Sequence, residues 1–413
     1  MPEINQMRMA AKLEMLLFFA WRNLWRNPRR TLLSMLGIMI SLAILILIQA
    51  FSLGAVKQME SNAIQYLTGH LQIRTQAYQQ DPVIEHGFQR DQMLEQAGSI
   101  EAPVRIARIR VPVTLQSAKR SLSTQLVSIR WDKDIKQSFL SRAQLERIPQ
   151  PGSQEILLGA AMAKRLALKP GQRVVVSAQD AQGKGVSRGF RLAGVYHTAL
   201  KNKELQFQFI SEQALETFLA APGMATEVQL TFKKQSQVNR FIQSHPNLCQ
   251  QFACLSWQEQ HPFVASWTET MDSIMYFYLC VVILSIAISL INNILLSLLE
   301  RTREVGLLQV IGMSSRLTLA QLAIESSYIL LIGILGGLLL AIFGLSLLSQ
   351  GIDLSHFANG IEVIDLNSVV YPAWSVDLLI YNSLLIGVVG FVTGLLPLLQ
   401  ATKLLPQVAL NRY

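Results

Sequence analysis

The sequence predicts a membrane protein with four transmembrane helices and a large mixed α/β extracytoplasmic domain inserted between helices 1 and 2. Three observations carry this prediction. Only 15% of the 413 residues are charged while 51% are hydrophobic, against about 25% charged in soluble domains. The missing charge is concentrated, because no Asp, Glu, Lys or Arg occurs in Thr31–Val56, Ser273–Leu299, Ser326–Ile352 or Leu378–Thr402. Each stretch is long enough for the roughly 20 apolar residues that a membrane-crossing helix needs, and a helix satisfies every backbone polar group internally. Finally, the first two stretches are separated by the long segment Lys57–Asp272.

The elements follow in order. Residues 1–30 form a cytoplasmic amphipathic N-terminal helix, in which Leu13, Leu16, Leu17, Ala20, Trp21 and Leu24 share one face while Lys12, Arg22, Asn23 and Arg26 occupy much of the remainder. Such a helix suits the membrane interface, with Trp21 and Trp25 at headgroup level and Arg26, Arg29 and Arg30 as cationic anchors. The Asn27-Pro28 pair breaks it. Helix 1 spans 31–56. It is too long for the roughly 7–15-residue core of a cleavable signal peptide and reads as a permanent signal anchor. The external domain covers 57–272, in two subdomains. Helix 2 covers 273–299, a short cytoplasmic coupling segment 300–316, and helix 3 317–348. A periplasmic loop at 349–375, helix 4 at 376–402 and a cytoplasmic tail at 403–413 complete the chain.

Loop charge sets the orientation. Arg8, Lys12, Arg22, Arg26, Arg29 and Arg30 precede helix 1, Arg301, Arg303 and Arg316 separate helices 2 and 3, and Lys403 and Arg412 follow helix 4. Ser349–Asp377 holds no Lys or Arg. Both termini are therefore expected in the cytoplasm and the inserted domain outside it. The net charge of +9 reflects this topology and anionic lipid rather than nucleic acid, for which no motif is present.

Within the insert, Leu205, Phe207 and Phe209 alternate, as do Val228, Leu230 and Phe232, which predicts half-buried strands. Ser211 is placed to cap a short helix carrying Ala214 and Phe218. A helix over Gln237–Ser244, stopped at His245-Pro246, followed by a strand over Gln251–Leu255, makes a β-α-β unit. Gly159–Leu168 reads as helical, Lys169-Pro170-Gly171 as a turn, and Arg173–Ser177 as a strand. A Gly-rich hairpin, Asp180–Gly189 with Gly183, Lys184 and Gly185, leads to the strand Phe190–Tyr196. Cys249 and Cys254 could pair in an oxidising compartment; two cysteines five apart leave either state open.

No P-loop of the form G-x-x-x-x-G-K-[ST] occurs, and Gly183-Lys184-Gly185 lacks its spacing and following helix. No H-E-x-x-H or C-x-x-C pair points to a metal, and no G-x-S-x-G elbow to a serine nucleophile. The six histidines are scattered. No catalytic residue, metal or cofactor is expected on this chain. Glu325 is the one ionisable group committed to a span; it reads either as a pairing or gating site or as a group that snorkels or caps near the interface. Gly333, Gly336 and Gly337 follow it and predict close approach of another helix. Four spans are few for an independent pathway, so a dimer is expected.

The segment Glu300–Gly312 reads ERTREVGLLQVIG. Charged residues lead an apolar stripe of Val305, Leu308 and Ile311, and Gly312 stops it, as in a short amphipathic helix that must dock onto something. Glu300, Arg301, Arg303, Glu304 and Gly306 fall in the same stretch. It closely resembles the coupling segment of the FtsX / LolC-LolE / MacB class of ABC permeases. WRNLWRNPRRTLLS (Trp21–Ser34) resembles that class's approach to its first span, and PLLQATKLLPQVAL (Pro397–Leu410) its closing P-x-x-x-A-x-x-x-x-P-x-x-A-L signature. EILLGAAMAKRLALKPGQRVVV (Glu155–Val176) looks like the corresponding stretch of lipoprotein-releasing permeases.

The resemblance implies a dimer with a second permease copy or a homologous permease, and two copies of a separate cytoplasmic ABC ATPase that bind the ATP and Mg. The Glu300–Gly312 helix would sit in a groove on each ATPase and drive the external domain mechanically, with lipoprotein or other envelope cargo entering from the membrane lipid. The implied location is the bacterial inner membrane. MacB-type chains carry their ATPase ahead of the first span, where these residues have none. LolC-type permeases carry a longer, Pro-containing hook; here the turn Gln179–Gly189 is short and lacks Pro. The alternatives are an FtsX-like signalling protein that activates a cell-wall hydrolase and a MacB-like exporter.

Overall fold

The computed structural model describes residues 14–96, 104–131, 134–135, 139–141, 143–234, 236–300, 315–357 and 366–410. The chain divides into a helical unit, Met1–Ala55 with Thr270–Ile352 and Tyr371–Tyr413, and an α/β unit, Val56–Glu269 with Asp353–Val370.

Among the described residues, four helices are long and apolar enough to cross a membrane. They run Pro28–Ala63, Pro262–Glu300, Ser315–Leu347 and Val376–Leu410. Each overruns the sequence expectation at one end at least, because a charged residue ends a lipid-buried segment without ending a helix. Lys57 and Glu60 extend the first, Glu269 and Asp272 precede the apolar part of the second, and Lys403 lies within the fourth. Pro28 opens the first helix at the position where its missing N–H costs nothing. Residues 14–24 form the expected preceding helix, and residues 25–27 the break.

Among the described residues of Val56–Glu269, the strands are β1 (Leu71–Arg74), β2 (Phe88–Gln89), β3 (Val104–Arg108), β4 (Arg110–Gln116), β5 (Ser121–Ile129), β6 (Gln144–Leu145), β7 (Glu155–Gly159), β8 (Arg173–Gln179), β9 (Gly185–His197), β10 (Phe207–Ser211), β11 (Met224–Ala225), β12 (Glu227–Thr231) and β13 (Ala253–Ser256). Two sheets dominate. The larger has the order β6-β9-β7-β10-β5-β4-β8, and an additional β8–β9 pairing closes six of its strands into a ring. β9 makes this closure by being long. Its first half pairs with β8 from Gly185 to Arg191, and its second half with β7 from Arg191 to Tyr196. β7 and β10 are covered on both faces and read as continuous apolar runs, whereas β4 and β8 alternate buried and exposed positions. In β7, Ile156 and Leu158 join a cluster with Val111, Leu126, Val176 and Phe190, while Leu157 joins Phe207, Phe209 and Tyr196 in another.

The smaller sheet has the order β13-β1-β12-β3. The expected β-α-β unit is present in split form: helices Ser236–Ser244 and Pro246–Gln251 link β12 to β13, but β1 lies between them and pairs antiparallel with both. Leu71, Ile73, Val228, Leu230, Val238 and Phe241 form its core. Cys249 and Cys254 are joined in a disulfide that ties the second helix to β13.

Two local expectations are corrected. Leu205 belongs to the helix Lys201–Gln206, and the strand starts only at Phe207. Polar side chains hold that helix turn: Thr124 Oγ1 donates to the Leu205 and Gln206 carbonyls, and Gln208 Nε2 to the Glu204 carbonyl. The strand after the hairpin begins at Gly185 rather than Phe190, because the turn is confined to residues 180–184. Ser211 caps the helix Glu212–Phe218, as expected, by accepting from the Ala214 N–H.

Candidate functional site

In the helical unit, the predicted anchor Trp21 lies where the N-terminal helix meets the third membrane helix. Ala20 and Leu24 are buried, whereas Trp21 and Trp25 are about half exposed. Trp21 packs edge-on against Trp25 at 5.9 Å and against Tyr328 at 5.7 Å. Thr31 Oγ1 donates to the Leu24 carbonyl at 2.9 Å, fixing the angle between this helix and the first membrane helix. Arg26 and Arg29 are exposed and Arg30 half-buried.

Small residues set the helix contacts, as in membrane proteins generally. A Cβ on Gly333 would meet Ile38, one on Gly336 would meet Met39, and one on Gly337 would lie 2.9 Å from the Met39 carbonyl oxygen. The glycine face of the third helix is thus seated on the first. The fourth helix approaches the second and third through Gly390 and Gly394, beside Leu290, Ile294 and Leu330. Asn382 Nδ2 donates to Gln49 Oε1 at 2.6 Å, linking the fourth and first helices. Neither amide stands out in a sequence read for charge.

Glu325 is 5% exposed, and Ser326, Asn293 and Ser297 are also buried in this unit. Burial sets Glu325 against protein rather than solvent. Glu300 is the last residue of the second membrane helix. Arg301, Arg303, Glu304, Val305, Gly306, Leu308, Ile311 and Gly312 lie outside the described residues, so the coupling segment remains a sequence expectation.

In the α/β unit, the hairpin is a tight, docked turn. Asp180 Oδ1 accepts from the Gln182 and Lys184 N–H groups at 2.9 Å, and Ala181 N donates to the Leu219 carbonyl. Gly183 takes φ +78°, a left-handed conformation that glycine adopts without strain. Lys184 completes the turn and Gly185 starts β9. The Asp180 side chain is therefore committed to the turn. Nearby, β4 and β8 pair only between Thr114–Gln116 and Val175–Ser177. Beyond that they diverge and leave a groove of about 380 Å³ beside Val83, Val111, Val113 and Ala178.

A charged cluster escaped the sequence reading. Arg110 Nη2 approaches Glu227 Oε1 at 2.8 Å and donates to the Leu67 carbonyl at 3.1 Å. Among the described residues, no well-aligned hydrogen-bond donor reaches the Glu227 carboxylate oxygens, so the Arg110 approach is an ion contact. Tyr78 donates its hydroxyl to the Arg110 carbonyl, and burial pushes its phenol up to about 12. Burial lowers the Arg74 guanidinium, against the opposing pull of Glu227. Arg108 is fully buried, and desolvation lowers it to about 10 although Glu227 and Asp134 favour its charged form. Alternation could have signalled this cluster, since Arg74, Arg108 and Glu227 sit on the face of the smaller sheet opposite its apolar core.

The order of these parts, a membrane helix, a two-sheet α/β domain and then three more membrane helices, is that of a permease with a periplasmic-type insert. The family model of the MacB-like periplasmic core domain matches residues 31–243, more than half of the chain, and that of the FtsX-like permease C-terminal region matches residues 276–406. The chain belongs to the FtsX/MacB class of ABC-transporter permeases, multi-pass proteins of bacterial membranes. No curated protein matches it. Among solved structures, it is similar to the extracellular domain of the noncanonic ABC-type transporter YknZ from Gram-positive bacteria. That likeness has 11% identity and a TM-score of 0.31, covering 45% of this chain and 98% of the other. It is also similar to the periplasmic region of MacB from Actinobacillus actinomycetemcomitans, at 10% identity and a TM-score of 0.31, covering 47% and 92%. Membership of the class rests on the two matched segments.

Proposed function

We propose that this permease converts ATP hydrolysis on a separate cytoplasmic ATPase into movement of its periplasmic-type domain, and that the movement releases lipoproteins or similar lipid-anchored cargo from the inner membrane. Two ATPase copies, holding ATP and Mg, serve two permease subunits. Both termini and the Glu300–Gly312 segment face the cytoplasm, following the Lys and Arg distribution of the loops. Glu300, Arg301, Arg303 and Glu304 form the polar side of the coupling helix and Val305, Leu308 and Ile311 its docking stripe. Gly306 lies within the helix and Gly312 ends it. Glu325, buried near the start of the third helix, adjusts packing as the segment moves.

The observation that carries the cargo reading is the stretch Glu155–Val176, whose sequence looks like that of lipoprotein-releasing permeases. It folds as β7, the helix Ala160–Leu166 and β8. The compact Asp180–Lys184 turn supports handling of cargo without direct recruitment of a carrier by this subunit.

Photo-crosslinkers at Thr114 and Ser123, which line the groove beside β4, test this in living cells. Lipid-anchored proteins in the adducts support the reading. A cell-wall hydrolase would replace it with the signalling alternative, and unlipidated peptides with the exporter.

A further inference from the structure

Charge is segregated along the α/β unit. Residues 102–131, 156–179 and 181–203, which include β3, β4, β5, β8, β9 and the helix Ala160–Leu166, hold Lys and Arg but no Asp or Glu. The fold gathers part of this charge at one end of the ring. The β4–β5 turn presents Lys119 and Arg120, the end of the helix Lys164 and Arg165, the following turn Lys169, and β8 begins with Arg173; all are exposed. Arg120 Nη1 donates to the Arg165 carbonyl at 2.9 Å, which ties the turn to the helix. Gln116 is the β4 partner of Val175, so the β4–β5 turn runs beside the start of β8. We propose that this surface binds a linear polyanion of the cell envelope, a polymer carrying phosphate groups along its length.

The carboxylates that border the patch are committed elsewhere. Across the sheet, Arg173 is the partner of Arg191 in β9, and Arg191 is the partner of Glu155 in β7. Glu155 is held by Arg147 at 2.9 Å and by the Gln150 N–H at 3.1 Å. Asp180 closes the hairpin turn at the other end of β8. Among the described residues, none of the six exposed cations has a carboxylate within ion-pair distance. Like charges gathered and left unpaired create a positive surface potential that attracts anions.

The form of the patch selects the partner. An exposed cation holds a single anion weakly, so a ligand that presents many charges in a row is favoured, and guanidinium forks suit phosphate oxygens. Protein interfaces are depleted in Lys and built around aromatic side chains, whereas the exposed large apolar side chain among these cations is Val175. Position argues against a lipid headgroup. At the opposite end of β4, Arg110 donates to the Leu67 carbonyl, in the turn that follows the first membrane helix. At about 3.4 Å per residue, β4 places the patch about 20 Å from that anchored end. The envelope as source rests on the extracytoplasmic placement in the proposed function, but binding of a polyanion in vitro does not.

The test uses the full-length chain in phosphatidylcholine nanodiscs, titrated with fluorescently labelled long-chain polyphosphate over a series of salt concentrations. Saturable, salt-sensitive binding is expected. The combined variant Lys164→Gln, Lys169→Gln and Arg173→Gln should weaken it about tenfold or more and lower the slope of log affinity against log salt by about two. A matched variant, Lys233→Gln, Lys234→Gln and Arg240→Gln, removes the same net charge from exposed positions in the smaller-sheet region and should change affinity by less than about twofold. Melting curves confirm that both variants fold. Absence of saturable polyphosphate binding overturns the proposal, as does parental affinity in the folded patch variant or equal weakening by the two variants. Co-sedimentation with phosphatidylglycerol vesicles in place of polyphosphate binding would assign the patch to a membrane surface instead. None of these failures would bear on coupling to the ATPase.

Discussion

Gly159→Ala tests whether the ring depends on the contact between β7 and the short helix Lys201–Gln206. A Cβ at Gly159 would lie 2.1 Å from the Glu204 carbonyl oxygen and 2.5 Å from its Cα, where ordinary contact starts at 3.4 Å. The obstacle is backbone, so the helix must retreat by about 1 Å, an overpacking strain of about 1–3 kcal/mol. That retreat pulls on a buried network. Glu204 accepts from Thr198 N at 2.9 Å and Ala161 N at 2.8 Å, and Gln208 bridges Gly159 N and the Glu204 carbonyl. Hydrogen bonds to a charged group contribute about 1.5–3 kcal/mol each, so weakening these brings the expected loss to about 4 kcal/mol. Urea unfolding of the full chain in detergent, followed by near-ultraviolet circular dichroism, measures it. Gly189→Ala, whose Cβ meets nothing within 4 Å, is the matched control and should stay within about 0.5 kcal/mol of the parent. A Gly159→Ala loss below about 1 kcal/mol would show that the ring does not depend on this contact.

Three further outcomes follow from particular contacts. Burial lowers the His70 pKa below 6.5, so the unfolded chain binds the proton more readily. Its contribution is complete above pH 6.5 and fades as pH falls through the lowered folded-state value; His70→Gln should flatten the stability profile between pH 7 and 5, and an unchanged slope would count against this. Reducing the Cys249–Cys254 disulfide frees a short loop and should cost about 2 kcal/mol on the chain-entropy estimate, visible as a melting shift that Cys249→Ser abolishes. In the membrane helices, Gly337→Ile should lower thermal stability in detergent, because its Cβ would lie 2.9 Å from the Met39 carbonyl oxygen. Gly37→Ile should not, since nothing lies within 4 Å there; equal effects would show that the glycine face does not set the packing.

The membrane helices were legible because the absence of charge is a long-range compositional signal that packing cannot hide. Gly333, Gly336 and Gly337 announced a close helix contact for a steric reason, and Ser211 announced its helix through a local hydrogen bond. Closure of the ring was not legible, since β8–β9–β7 pairing depends on one strand serving two neighbours along its length, and no local pattern encodes that. The start of β10 was misplaced because Leu205 fits both an alternation and a helix turn, and distant Thr124 decides between them. Arg108 and Gln49 were missed for a related reason. Polar residues ordinarily read as surface, and only tertiary structure shows them buried. Of the proposed site, Asp180 proved to be a turn former, while the coupling segment still rests on its sequence.

Coupling through that segment is what the proposed function requires of this chain. Replacing Glu300–Gly312 with a Gly-Ser linker of equal length, then purifying the chain from bacterial membranes with its ATPase, tests it most directly. The variant is expected to insert normally while ATPase recovery falls to background. Recovery at the parental level would contradict it.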